Sequence, residues 1–177
     1  SRIDRTTEAS FSRLPQQVTL ELTSRRGPGI EGELVPQRHV SLDRPDMPLG
    51  VAEEIVRDLG REPDVALTLG GLGDALMHPD WDRIVITAHD AGVFGIAIET
   101  DLQTDQGEIE KLLKLPVDVV TVRLNADTVK TYQTVMAAND KAGEEAFTCV
   151  TQNLEYMANE ESRYRAAWLL YTYTSPR

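Results

Sequence analysis

Cysteine is almost missing from this chain. Its 177 residues contain one, Cys149. A single thiol excludes an internal disulfide framework, a multi-cysteine zinc site and a complete cysteine-held iron–sulfur cluster. Long apolar runs are missing too. None approaches the roughly 20 residues needed to span a bilayer, and no signal peptide is visible, so the default expectation is a cytoplasmic protein. Positive charge is scarce: 18 Lys and Arg stand against 29 Asp and Glu, a net charge of −11. That balance argues against a nucleic-acid or anionic-membrane partner, because neutralising phosphates needs clustered Lys and Arg. The deficit is uneven, since residues 1–44 carry seven basic and six acidic groups and the remainder eleven and 23.

Most familiar catalytic signatures are also lacking. Gly70-Gly71-Leu72-Gly73 is no Walker loop, because no Gly-Lys-Ser/Thr follows. It is no dinucleotide fingerprint, because Leu76 stands where the third glycine belongs. Ser24 and Ser41 lack the nucleophile-elbow pattern. His39 and His89 are isolated, and no His, Asp or Glu spacing resembles a metal site. His78, before Pro79, reads as a cap or a satisfied buried histidine, and Cys149 as a buried, inert thiol on a helical stripe.

What is present is a globular mixture, 41% hydrophobic and 27% charged, of one-domain size. Short β-branched runs alternate with helix-period segments. Strands are expected at Val18–Leu22, Val65–Leu69, Phe94–Ile98, Asp118–Leu124 and 166–173. A long Arg-, Gly- and Pro-rich loop is expected over 24–48. The helical stripes are Val51/Ala52/Ile55/Val56/Leu59, Trp81/Ile84/Val85/Ala88, Ile109/Leu112/Leu113, Val129/Tyr132/Val135/Met136 and Ala146/Phe147/Val150/Leu154/Met157. Pro79 is expected to open the second helix, Asp105 with Glu108 to form a capping box, and Asp127 to cap the fourth helix. Gly60 and Gly92 are the expected stops.

This alternation implies parallel βαβ units, in an open doubly wound sheet or an arc of a barrel. Strands two to four are apolar nearly throughout, as when both faces are covered. The strand C-termini bring together Thr23, Gly70–Asp74, Thr100-Asp101, Arg123–Asn125 and Tyr171–Thr174, where a ligand should sit. Glycines after a strand let backbone approach a ligand, and serve equally as a tight turn needed only for packing.

At this point the segments line up with a known family. Leu67-Thr-Leu-Gly-Gly-Leu-Gly-Asp-Ala-Leu-Met-His-Pro-Asp80 closely resembles the radical SAM segment G-x-G-E-P-L followed by H-P. Ile98–Leu102, Val119–Tyr132 with its Leu-Asn-Ala and Thr-x-x-Thr-Tyr stretches, and Leu14–Thr23 resemble that family's third, fourth and first strands, in order. The resemblance covers roughly 14–175, and is closest to the branch often followed by a cysteine-rich auxiliary-cluster domain. It implies an α/β fold, a partial (βα) barrel of radical-SAM type with five to six parallel strands and outer helices. The expected boundaries are 14–177 for the barrel and 1–13 for an N-terminal extension or linker, within a longer parent protein.

The resemblance also exposes a departure. The family's C-x3-C-x2-C cluster motif falls on Arg26, Ile30 and Glu33, none of which is a thiolate. Asp74 replaces the motif's Glu, Ala75 its Pro, and Asn125 the fourth-strand Asp. If the pocket persists, the resemblance assigns Gly71, Leu72, Gly73 and Asp74 to the amino group of S-adenosylmethionine, and Thr100, Arg123 and Asn125 to its ribose or carboxylate. No catalytic residue and no metal ligand is assigned, and no iron–sulfur cluster is expected. The reading is a degenerate radical-SAM-like domain, a scaffold or small-molecule module (S-adenosylmethionine being the candidate cofactor) whose partners are a small molecule or the remaining domains of its parent. The alternative is an enzyme using S-adenosylmethionine, with cluster ligands supplied elsewhere or with non-radical methyl transfer. A doubly wound domain unrelated to S-adenosylmethionine is the third reading.

Overall fold

The structure is a computed structural model. It describes residues 15–32, 44–137, 139–160 and, as backbone, 167–171. Residues 1–14, Glu33, His39, Ser41 and residues 172–174 lie outside the described residues. Five strands, β1 (Gln17–Leu20), β2 (Ala66–Leu69), β3 (Gly95–Thr100), β4 (Val119–Arg123) and β5 (Ala167–Tyr171), form one sheet. All four pairings are parallel, and the strand order follows the chain order.

That order separates the two architectures the sequence left open. A doubly wound sheet reverses its strand order at a switch point and covers both faces with helices. Here every crossover steps to the next strand, and right-handed crossovers then put all helices on one face, as in a barrel arc. Burial agrees. Leu20, Leu67, Leu69, Ile96, Ile98, Val120 and Val122 are buried, whereas Thr19, Thr68, Ala97, Glu99, Thr121 and Arg123 between them are partly or fully exposed. The expectation of strands covered on both faces is therefore corrected. The apolar runs alternate in burial because helices cover only one face, and the other is the open, concave lumen face.

The helices α1 (Leu49–Leu59), α2 (Trp81–Asp90), α3 (Gln106–Lys114), α4 (Val129–Val135) and α5 (Asp140–Glu160) follow the expected stripes. Ala52, Val56, Ile84, Val85, Ala88, Ile109, Leu112, Val150 and Met157 are buried against the sheet's helical face. Gly60 stands at the end of α1, and Gly92, with φ +88°, follows the end of α2. Asp105 accepts from the Glu108 amide (3.1 Å), but Glu108 turns to Trp81 Nε1 and Lys111 instead of closing the box. Two starts differ from expectation. Helix α2 begins at Trp81, two residues beyond Pro79. Thr128, not Asp127, caps α4, because its extended backbone lets its Oγ1 accept from the Thr131 amide. Strand β3 runs on to Thr100, while Phe94 is 73% exposed outside it. No helix among the described residues is long and apolar enough to cross a membrane.

One-sided burial gives an asymmetric expectation. Ile98→Ala should cost about 2–4 kcal/mol in urea denaturation, the range for emptying a packed aliphatic site. Thr121→Ala, one row on from Ile98 but on the lumen face, should change stability by less than about 0.5 kcal/mol.

Candidate functional site

The loop after β1 folds inward over the strand ends. Gly27 lies against the Gln103 side chain, Gly29 (φ +77°) against Ala142, and Gly32 directly on the Val135–Met136 backbone. The Glu31 and Gly32 amides both donate to the Met136 carbonyl, at 3.0 and 2.9 Å, and Ile30 bridges to Ala137. Ile30 is buried in the core. Of the positions the resemblance matches to cluster ligands, one is thus a core aliphatic.

Arg26 is the other described position, and it is a buried cation. Its guanidinium, 5% exposed, pairs with Asp101 at the end of β3, which is fully buried. Arg26 Nε donates to Asp101 Oδ2 at 2.7 Å, one Nη donates to Oδ1, and the other donates to the Leu72 carbonyl at 3.2 Å. Both carboxylate oxygens are therefore engaged, the condition under which a buried ion pair is tolerated. A guanidinium has no lone pair to offer iron. Ile30 offers none, and Cys149 sits on α5 beside Thr104, so these residues do not fit a cysteine-held cluster. Among the described residues no group of three His, Cys, Asp or Glu could hold a metal ion.

The strap Gly71–Asp74, directly after β2, is bound up within the chain. Arg123, at the end of β4, donates to the Gly71 carbonyl (3.0 Å) and the Gly73 carbonyl (2.8 Å). The Leu72 amide donates to Glu21 Oε2 at 2.5 Å. Packing alone demands the glycines here. A Cβ on Gly73 would come within 1.9 Å of the Thr23 carbonyl oxygen, and Gly71 has φ +113° with Glu21 against it.

Asp74 is fully buried. It accepts from the Leu76 amide (2.9 Å), the Thr100 hydroxyl (3.0 Å) and the Asp101 amide (2.8 Å). Thr100 Oγ1 in turn accepts from the Leu102 amide. Desolvation, then the neighbouring Asp101 charge, push the Asp74 carboxyl up to about 6 against the pull of those three donors. Asn125, in left-handed backbone (φ +52°), donates to Met136 Sδ, and its buried Oδ1 has no hydrogen-bond partner.

All seven residues the resemblance assigns therefore stand at one end of the sheet. All seven are held there by partners of the chain's own. Asp101, which ties Arg26 to β3, was legible only as a polar strand end. Glu21 and Glu99, which lean over Gly71 and Gly70 from the lumen face, gave no sequence signal. His78 is buried as expected. Its Nδ1 accepts from the Asp80 amide (3.1 Å), so Nε2 carries the proton donated to the Met47 carbonyl (2.8 Å). Cys149 is only partly buried, and desolvation raises its thiol pKa. Surface concavities of about 680, 780 and 470 Å³ lie elsewhere, and none of the seven residues lines these three. The first and third share Thr104, Asp105, Glu145 and Cys149 between the start of α3 and α5.

No family model and no curated protein matches the chain. Solved structures do. The Streptococcus suis protein SuiB bound to precursor peptide SuiA aligns with a TM-score of 0.65 at 14% identity, over 99% of this chain and 37% of that one. The protein anSMEcpe with bound AdoMet gives 0.63 at 12%, over 87% and 43%. BtrN in complex with AdoMet and 2-DOIA gives 0.54 at 13%, over 91% and 58%. The fold is of radical-SAM type. At these identities the likeness is one of fold, and the chain spans about 37–58% of the length of these structures.

Two outcomes are expected at this radical-SAM-type strand end. Arg26→Met should cost about 3–5 kcal/mol, because it strips the buried Asp101 carboxylate of its hydrogen-bonded partner and leaves only Arg123 Nε, 3.9 Å away. Arg26→Met combined with Asp101→Leu should recover most of that loss in a double-mutant cycle read by denaturation. Separately, the folded Asp74 pKa lies above its ordinary value, so the proton it binds stabilises the fold fully below about pH 4. That contribution is lost as pH rises through 6. Wild-type stability relative to Asp74→Asn should fall by roughly 3 kcal/mol at most between pH 4 and 7.

Proposed function

We propose that this chain is a cluster-free, degenerate radical-SAM-like domain that serves as a scaffold or small-molecule module within a larger protein. One observation carries the reading. The position matched to the first cluster cysteine is Arg26, and its guanidinium is spent on Asp101. A cluster supplies the electron that cleaves S-adenosylmethionine, and soft thiolates hold it. An arginine paired to a buried carboxylate supplies neither. The loop that would carry the cluster instead packs Ile30 into the core and closes over the strand ends.

What remains for binding is the lumen face, with Thr68, Glu99 and Thr121 partly exposed. Such a surface suits a small polar molecule, or a segment of the parent protein that completes the barrel.

A second reading is favoured by the fold's likeness to proteins solved with AdoMet. In that reading the chain still binds S-adenosylmethionine, as an enzyme whose cluster ligands come from elsewhere or as a non-radical methyl donor site. Arg123 would have to leave the strap carbonyls to free them for an amino group.

Anaerobic reconstitution with iron and sulfide, followed by incubation with S-adenosylmethionine and a strong reductant, separates the readings. The cluster-free reading expects no stoichiometric iron or sulfide and no 5′-deoxyadenosine. Four irons per chain with deoxyadenosine formation would overturn it. Formation of S-adenosylhomocysteine without iron would move the assignment to methyl transfer.

A further inference from the structure

We infer that Arg26 and Arg123 act as built-in cations that occupy the carbonyl cradle of Gly71–Gly73, so that the site is filled by the chain's own side chains and closed to an ammonium-bearing ligand. This rests on the fold assignment and on the cluster-free reading, and it goes further, because loss of a cluster does not by itself close a ligand site.

The argument is one of donors and acceptors. Three consecutive carbonyls point to the strand ends, and each accepts from a guanidinium: Gly71 from Arg123 at 3.0 Å, Leu72 from Arg26 at 3.2 Å, and Gly73 from Arg123 at 2.8 Å. A cluster of carbonyls is the environment that an ammonium group seeks, since it offers only donors and a positive charge. A guanidinium brings the same charge with its donors in a fixed fork, and a fork spanning two carbonyls is harder to displace than one point contact.

Two buried carboxylates nearby are committed as well. Asp101 takes two N–H groups of Arg26 and has Arg123 Nε 3.9 Å away. Asp74 spends its oxygens on two backbone amides and the Thr100 hydroxyl. Glu21 takes the Leu72 amide and pairs with Arg44, and Glu99, partly exposed beside Gly70, is the carboxylate at this end that stays outside this set.

Burial makes the arrangement selective. The Arg26 and Arg123 side chains are 5% and 15% exposed. A ligand would have to displace two shielded cations from their partners and strand Asp101. The two arginines also come from different elements, the loop after β1 and the end of β4, and they meet at the strap after β2 and at Asp101 after β3. Four strand ends are thereby joined by one set of charges. The groups that join the strand ends are covalently attached, and no free ligand matches their effective concentration.

The test uses the full chain with Arg123→Ala, which vacates the Gly71 and Gly73 carbonyls. Methylguanidinium at 20 mM should raise the variant's Tm by about 2 °C or more over an equal concentration of sodium chloride. It should leave the wild type unchanged. Calorimetric titration of the wild type with S-adenosylmethionine should show no binding tighter than millimolar. Micromolar binding to the wild type that Arg123→Ala weakens would overturn the inference, because Arg123 would then be holding the ligand. So would a Tm response of the variant no different from the sodium chloride control.

If Arg123→Ala does not fold, the wild type still decides. In nitrogen-edited spectra the guanidinium protons of Arg26 and Arg123 should exchange at least about tenfold more slowly than those of exposed Arg61, whose side chain is 76% accessible. Equal exchange would overturn the inference. Iron and sulfide loading is read separately. A failed latch with no iron bound leaves the cluster-free reading intact, whereas iron bound with the arginines protected overturns that reading alone.

Discussion

The buried pair between Arg26 and Asp101 is the contact on which the arrangement of the strand ends depends. Removing two opposite charges from water is costly, and the cost is offset only where every donor and lone pair finds a partner. Here it is. Arg26 uses both ends of its fork on Asp101 and a third N–H on Leu72. The pair therefore fixes the path of the loop after β1 relative to β3, and that path places Ile30 in the core and lays Gly32 on the α4 terminus. The strap after β2 is held from the same point, with Arg123 reaching it from β4. Charge thus does at these strand ends what apolar packing does between sheet and helices.

The glycines of the strap acquire a physical explanation that involves no ligand. Gly73 has a backbone oxygen of Thr23 where a side chain would be, and Gly71 takes a backbone conformation that other residues adopt only with strain. A glycine-rich turn after a strand is often taken as the mark of a binding loop. In this chain the close approach that glycine permits is made by the protein to itself, with Glu21, Glu99 and Thr23 as the approaching groups.

Much of the fold was legible because its signals are local. Alternating strand and helix periods, glycine stops after α1 and α2, and the Asp105 cap each depend on neighbours within a turn. The misses have the same explanation in reverse. Thr128 displaced Asp127 as a cap because both residue types suit the role and only the backbone angles decide. Strands β2 to β4 looked covered on both faces because their residues are apolar or small, while burial on one face depends on which side the helices take. That the candidate residues stand after strands was legible along the chain. Their partners were not, since Arg26 and Asp101 lie 75 positions apart and Arg123 lies about 50 from the strap.

By itself the sequence determined that the chain alternates strands and helices, that polar and glycine residues gather at the strand C-termini, and that no set of thiolates is present to hold an iron–sulfur cluster. Composition and short-range periodicity suffice for those statements, because they concern which groups exist and which neighbours they have. Tertiary structure alone decided that the sheet is a barrel arc with one covered face, and that the guanidiniums of Arg26 and Arg123 turn inward onto the strap. Both depend on long-range pairing, in which a side chain's partner is set by strand order and register and is invisible along the chain.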